Sequence, residues 1–195
     1  AQHPIILNAT EENSGDYSVV VTSGIEISNP AITHVMVYPY PDITFNPSTL
    51  YICEGDSLSV TAFGATNYYW PNLLDSGATH LISAPIPTVF TVIGESNGCS
   101  TTATFLLDVK QHPTTNIILP SASTILNDSI INVYAITNGG TPDYFFEWSG
   151  TNVIPDNNDS ISVPIDSSDC NSILYFSLMV FDAYGCRASD RDSIA

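Results

Sequence analysis

One pattern occurs twice in this chain of 195 residues and constrains the fold more than any other feature. In each copy, a turn of small residues leads into a short aromatic strand that ends in tryptophan, and a later apolar strand runs into a Gly-Cys pair. The copies read GATNYYW at 64–70 with NGC at 97–99, and GGTPDYFFEW at 139–148 with YGC at 184–186. Recurrence of this kind predicts tandem domains, which typically act through contact and reach, not through catalysis.

The sequence between these markers favours β-sheets throughout. Short runs rich in Val, Ile, Thr and Tyr alternate with Gly, Pro, Asn and Asp turns, and no stretch keeps a helical period with caps. Strand signals spaced by about 8–12 residues are typical of all-β sandwiches. Because 44 % of the residues are hydrophobic, a packed core is expected. We therefore predict an all-β fold of tandem sandwiches arranged as a rod.

Two proline-containing linkers, at 39–41 and 111–113, divide the chain into three predicted segments. The first segment, 1–39, has strand signals at 5–7, 17–22 and 32–38, which are too few to close a sandwich. We interpret it as the C-terminal half (strands E, F and G) of an incomplete domain. Segments 40–110 and 111–195 are predicted to be sandwiches, the last with a weak, polar final strand that suggests truncation.

Three aromatic residues are predicted to lie in the cores. Trp70 and Trp148 end the two aromatic strands, where sandwiches of this class place a core tryptophan. The run NSGDY at 13–17 is similar to the tyrosine corner that opens strand F, so Tyr17 is predicted as a third core residue.

The charge balance excludes several classes of partner. Three Lys and Arg residues face 20 Asp and Glu residues, a net charge of −17. Lys110, Arg187 and Arg191 cannot form a phosphate-binding face, so we expect no nucleic acid partner. No run of 18 apolar residues occurs, so we expect no insertion into a membrane.

The motifs resemble two kinds of repeat in large Bacteroidota surface proteins. ICEGDSL at 52–58, the Tyr69-Trp70 pair and NGC at 97–99 resemble their immunoglobulin-like repeats. GGTPDY at 139–144, Trp148 and DAYGC at 182–186 resemble the repeats of gliding-motility adhesins, which have a polycystic-kidney-disease (PKD)-like fold. The resemblance implies immunoglobulin-like sandwiches, type 9 secretion, surface display and adhesion. The third segment departs from the pattern, because LND at 126–128 stands where a cysteine precedes strand B.

The four cysteines suit an oxidising, extracellular setting. In an immunoglobulin-like sandwich the A–B and F–G turns lie at opposite poles, about 20 Å apart for a six-residue strand, which is beyond disulfide reach. Tandem stacking brings the A–B turn of one domain to the F–G turn of the next, which favours an inter-domain Cys53–Cys186 bond. Cys99 and Cys170 would then pair with neighbouring domains. The alternative is a Cys53–Cys99 bond through an irregular A–B segment.

Two further kinds of site are predicted from short motifs. Asp-Ser-aliphatic triplets resemble the Bacteroidota O-glycosylation sequon, although Asp-Ser is also ordinary turn chemistry; their acceptors are Ser57, Ser129, Ser160 and Ser193. Asp156, Asp159 and Asp182 are weak candidates for calcium, which prefers oxygen ligands. A solvated loop is the alternative, since no Asp-x-Asp-x-Asp-Gly loop occurs. No other cofactor is expected.

Catalysis is not predicted, because the four His residues are scattered and no hydrolase, zinc or phosphate-loop motif occurs. The predicted function is a segment of an extracellular, cell-surface adhesin or filament that acts as a structural spacer and contact surface. Its partners would be neighbouring domains of the same chain, and surface glycans or other surface proteins. Two alternatives remain: a carbohydrate-binding accessory module of a secreted hydrolase, and a structural subunit that polymerises by strand exchange.

Overall fold

The computed structural model describes residues 3–120, 129–169 and 172–194. The fold is all-β, as predicted, and among these residues no helix is long and apolar enough to cross a membrane. The strands are β1 (Gly15–Val19), β2 (Thr22–Ser23), β3 (Glu26–Ile27), β4 (Ala31–Val35), β5 (Thr44–Asn46), β6 (Tyr51–Cys53), β7 (Leu58–Phe63), β8 (Asn67–Trp70), β9 (Asp75–Ser76), β10 (Thr79–Ile82), β11 (Thr88–Ser96), β12 (Cys99–Lys110), β13 (Pro113–Ile118), β14 (Ile130–Gly139), β15 (Phe145–Gly150), β16 (Ser160–Pro164), β17 (Leu174–Phe181) and β18 (Arg187–Ile194).

Contacts divide the chain into two compact units. The first comprises Ala1–Ser48, Ser59–His80 and Val89–Phe105, and the second comprises Thr49–Leu58, Leu81–Thr88 and Leu106–Ala195. The sheets have the strand orders β1-β4, β2-β3, β10-β7-β5, β6-β12-β11-β8-β9, β13-β14-β16 and β15-β17-β18.

The N-terminal part of the first unit is a narrow antiparallel ribbon of β1 and β4. The Tyr17 hydroxyl donates to the Asn13 carbonyl at 2.7 Å, the kind of upstream bond that a tyrosine corner makes. The side chain is nevertheless 38 % exposed, so the prediction of Tyr17 as a core residue is wrong. A two-stranded ribbon is too narrow to bury it. The strand predicted at 5–7 is also absent from the described residues.

Aromatic rings form the core of the first unit. Trp70 is fully buried, and its indole N–H donates to the Gly77 carbonyl at 2.9 Å. Phe45 on β5 lies 4.7 Å from Phe105 on β12, measured between ring centroids, and Phe105 stacks on Phe90 at 5.6 Å. These side chains come from both the three-stranded and the five-stranded sheet, so this core lies between two layers.

The second unit has an aliphatic core around Trp148. Buried side chains alternate along β17, where Leu174, Phe176, Leu178 and Val180 face inward. Trp148 is 4 % exposed, and its indole N–H donates to the Asn158 carbonyl at 2.9 Å. Burial of each large apolar side chain contributes about 1.5–3 kcal/mol. The last strand, β18, is polar as the sequence indicates, yet it pairs with β17 over all eight residues.

Candidate functional site

The structure contains the Cys53–Cys186 disulfide that we predicted from the sequence. The alternative pairing of Cys53 with Cys99 is therefore wrong. The two Cα atoms lie 5.5 Å apart, within the usual range for a disulfide. Cys53 ends β6, and Cys186 lies in the turn between β17 and β18. The bond therefore joins the second predicted segment to the third, and both cysteines belong to the same compact unit. Both are buried, Cys186 completely.

A buried aspartate holds Cys186 in place. The Asp182 carboxylate is 6 % exposed, and one of its oxygens accepts the backbone N–H groups of Tyr184 and Cys186, each at 2.9 Å. The other oxygen accepts the Thr141 N–H at 2.9 Å. Three charge-assisted bonds tie the turn and the loop before β15 together. Asp182, predicted as a calcium candidate, thus has both oxygens occupied by backbone donors.

Cys53 is positioned by the parallel pairing of β6 with the end of β12. Ile52 pairs with Val109, and Cys53 pairs with Lys110. The ladder continues into the next turn, where the Glu54 N–H donates to the Lys110 carbonyl at 2.9 Å. Gly55 then adopts a φ of +86°, which closes the turn at little steric cost for glycine.

Side chains from three elements pack beside the disulfide. The Lys110 ammonium lies 4.1 Å from the centroid of the Tyr184 ring, and the same ring makes an edge contact with Tyr51 at 5.0 Å. Lys110 also pairs with Asp108 at 2.6 Å. This hydrogen bond is the largest cause of a Lys110 pKa raised above its ordinary value, and Tyr184 adds to the effect.

His112, in the linker at 111–113, spans two backbone carbonyls. Its Nδ1 lies 2.9 Å from the Arg187 oxygen, and its Nε2 lies 3.0 Å from the Glu54 oxygen. Both partners are acceptors, and a neutral imidazole has only one N–H, so the ring donates to both carbonyls only in its doubly protonated form. His112 therefore ties the turn after Cys53 to the strand after Cys186.

We call this arrangement the junction: the Cys53–Cys186 disulfide together with Tyr51, Lys110, His112, Asp182 and Tyr184. It contains a covalent bond, a cation–π contact, three hydrogen bonds from backbone N–H groups to Asp182, and two contacts of His112 with backbone carbonyls. Such a set of contacts can resist separation of the turn after Cys53 from the turn that holds Cys186. Sequence reasoning found the disulfide but missed Tyr51, Lys110, His112 and Tyr184 as parts of this site.

The other two cysteines that we predicted as disulfide partners, Cys99 and Cys170, are not assigned to the junction. Cys99 is a free, partly exposed thiol whose sulfur lies 3.8 Å from the Tyr38 carbonyl oxygen. Cys170 lies outside the described residues.

The remaining predicted sites are dispersed. Ser57 and Ser193 are exposed, whereas Ser129 and Ser160 are partly buried. One Asp156 oxygen accepts the Asn157 N–H at 2.7 Å and the Asn158 amide at 2.8 Å, which is local loop chemistry. In the part of the chain that the structure describes, no three His, Cys, Asp or Glu side chains form a group that could hold a metal ion. Asp156, Asp159 and Asp182 are therefore not brought together as a calcium site.

Comparison with known proteins gives structural similarities only. No family model matches the chain, and no curated protein matches it. Similar solved structures include the three N-terminal domains of the bacteriophage RB49 outer capsid protein Hoc, at 14 % identity and a TM-score of 0.49, covering 96 % of this chain and 79 % of that one. Titin domains A168–A170 share 12 % identity at a TM-score of 0.44, covering 95 % and 76 %. Domains 3–5 of Drosophila OTK share 11 % at 0.42, covering 95 % and 71 %. The fold assignment, all-β immunoglobulin-like sandwiches, rests on the chain's own sheets.

Proposed function

We propose that this chain is a non-enzymatic segment of an extracellular surface protein, in which successive immunoglobulin-like sandwiches serve as spacers and contact surfaces. The observation that carries the proposal is the junction, because it fastens the second predicted segment to the third with a disulfide. The disulfide also supports an oxidising location. The proposed domains are the predicted ones: 1–39, 40–110 and 111–195.

The disulfide would change the path of a pulling force. Tension applied to the two ends of the chain reaches Cys53 from one side and Cys186 from the other, and the covalent bond connects the two. The 132 residues between them lie outside that path, since the two cysteines are 133 positions apart. Trp70 and Trp148 lie in this shielded stretch, so the strands that carry them are not pulled directly, whereas β5 and β18 stay in the path of the force. This protection suits a spacer that bears load.

Magnetic tweezers on the full chain, tethered at both ends, test this role. Under oxidising conditions we expect the shielded stretch to stay folded while tension rises. A Cys53→Ala/Cys186→Ala variant should extend further, by about 450 Å for 133 residues at about 3.4 Å each. Cys99→Ala is the matched control, because it removes a thiol outside the junction and should behave as wild type. Equal extension of the wild type and the double variant would refute the load-bearing role.

The finer assignment follows the sequence resemblance: an adhesin of the Bacteroidota cell surface, exported by type 9 secretion and associated with gliding motility. Within it, we propose Ser57 as an O-glycosylation acceptor, because it is exposed at the turn after Cys53. Intact mass measured on protein from the native host tests the modification. A Ser57→Ala variant should lose one glycan mass, and a native mass equal to that of the bare polypeptide would exclude it.

A second candidate, a polymerising subunit, is favoured by the ribbon of β1 and β4. Their register places Tyr17, Val19, Ala31 and Val35 on one face, and all four are exposed. On the opposite face, the His34 Nδ1 atom lies 2.8 Å from an Asp16 carboxylate oxygen, within hydrogen-bond distance. An amphipathic ribbon of this kind can pair with a further layer. Sedimentation that depends on protein concentration, and that Val19→Lys abolishes, would support polymerisation; a monomer at all concentrations would count against it.

A further inference from the structure

The outer face of the sheet β15-β17-β18 carries a shallow groove of about 460 Å³. The register places Ser149, Ser177 and Arg191 in one row across the three strands. Tyr175 and Ser193 form the next row, on the same face. The short side chains of Ser149, Ser177 and Ser193 form the floor of the groove. The longer side chains of Tyr175 and Arg191 project beyond this floor.

Gly150 ends β15 beside Tyr175. Its φ is +146°, and a Cβ atom at this position would come within 2.1 Å of the Tyr175 carbonyl oxygen. A side chain here would collide with the backbone of β17, so glycine is required at this edge of the groove. The Tyr175 ring itself is 59 % exposed, which leaves it accessible to a ligand.

Arg191 is exposed, and among the described residues no hydrogen bond or ion pair involves its guanidinium. Its sequence neighbours make other bonds: one Asp190 oxygen accepts the Ile117 N–H at 2.7 Å, and one Asp192 oxygen accepts the Ser193 N–H at 2.8 Å. The register places this guanidinium next to both the exposed Tyr175 ring and the short serine side chains, whereas Arg187 lies opposite Phe181.

We propose that this groove binds a sugar that carries a carboxylate. A guanidinium matches the two oxygens of a carboxylate with paired N–H donors. The face of a pyranose ring presents C–H groups that pack on an aromatic ring such as Tyr175. The hydroxyls of Ser149, Ser177 and Ser193 are placed to exchange hydrogen bonds with sugar hydroxyls. A neutral sugar would leave the charge of Arg191 unused, and a densely charged polyanion would be repelled by the net charge of the chain.

This inference deepens the proposed contact function and rests on it for its biological setting. The groove is formed by 149–150, 175–177 and 191–193, and none of its residues belongs to the junction. A failure of sugar binding would therefore leave the load-bearing role standing, and loss of the load-bearing role would leave the groove intact.

Calorimetric titration of the full chain with galacturonic acid and with sialyllactose, each of which carries one carboxylate, tests the proposal. The neutral probes are the methyl ester of galacturonic acid and lactose. We expect binding of at least one acidic probe, weaker binding at high salt, and no binding of its neutral counterpart. Arg191→Gln should weaken binding roughly 10-fold or more, because it removes a charge-assisted hydrogen bond. Tyr175→Ala should weaken it as well, with the circular dichroism spectrum unchanged.

Arg187→Gln is the matched control, because it removes the same charge from the same face of β18, four residues away and outside the groove. It should bind as wild type does. Equal weakening by Arg187→Gln and Arg191→Gln would show attraction to net charge alone and would overturn the proposal. Equal binding of acidic and neutral probes, or no binding of either acidic probe, would also overturn it.

Discussion

Loss of the Cys53–Cys186 disulfide should lower the free energy of unfolding more than any single substitution proposed here. The bond closes a loop with a sequence separation of 133. In the chain-entropy description, a loop of this length removes roughly 17 cal/mol/K from the unfolded ensemble, or about 5 kcal/mol at 25 °C. The full amount applies when the residues between the two cysteines unfold in one step, because only then does the whole loop gain freedom.

Guanidinium chloride denaturation of Cys53→Ala/Cys186→Ala measures this loss. Alanine is the replacement of choice, because serine at the fully buried Cys186 position would bury a hydroxyl. Fluorescence of Trp70 and Trp148 follows the two buried cores. If the chain unfolds in a single transition, we expect the free energy of unfolding of the variant to fall by about 5 kcal/mol, seen as a lower midpoint. If the two cores unfold separately, we expect a smaller loss.

Two controls accompany the measurement. Wild-type protein treated with a phosphine reductant should follow the curve of the double variant, whereas Cys99→Ala, which removes a thiol outside the disulfide, should follow untreated wild type. A loss below about 1 kcal/mol in the double variant, no more than an average single substitution, would refute the reasoning.

Three further substitutions probe the same account. Asp182→Asn replaces a carboxylate that accepts three backbone N–H groups, so we expect a loss of about 2–4 kcal/mol in chemical denaturation and a more reducible disulfide. Trp70→Ala empties the core of the first unit and should cost about 3–5 kcal/mol by the same assay. Lys110→Met removes a cation whose pKa is raised above 10.5 by Asp108, so its stabilising pair is complete below pH 10.5 and lost as the pH rises through the raised pKa. Denaturation curves of wild type and Lys110→Met should therefore differ at pH 9, and the difference should shrink only as the pH rises through the raised pKa of Lys110.

The sequence predicted the features that local pattern controls. Alternation of apolar and polar residues marked β17, and the aromatic runs marked the strands that end at or near the two tryptophans. The disulfide was predictable because the turns at opposite ends of one sandwich are too far apart to be bridged, whereas turns of adjacent domains can come close together. The strand predicted at 5–7 failed, because an apolar triplet forms a strand only where a partner strand is available to pair with it.

The residues that the sequence missed depend on partners far away in the chain. Strand β6 is three residues long and is defined by its pairing with β12, more than 50 positions later. The roles of Lys110, His112 and Tyr184 likewise depend on contacts across the junction, for which no local pattern exists. Asp182 did carry a local signal, because an Asp side chain in a turn commonly accepts the backbone N–H two residues later, which is an Asx turn. We predicted Asp182 as a calcium ligand, but its two carboxylate oxygens accept backbone N–H groups instead.

Peptide mapping of the non-reduced, full chain by mass spectrometry tests the central claim most directly. The account predicts one linked peptide pair that contains Cys53 and Cys186 and that separates on reduction, with Cys99 recovered as a free thiol. Recovery of a pair that joins Cys53 to Cys99 would contradict it, because the two predicted segments would then lack their covalent fastening.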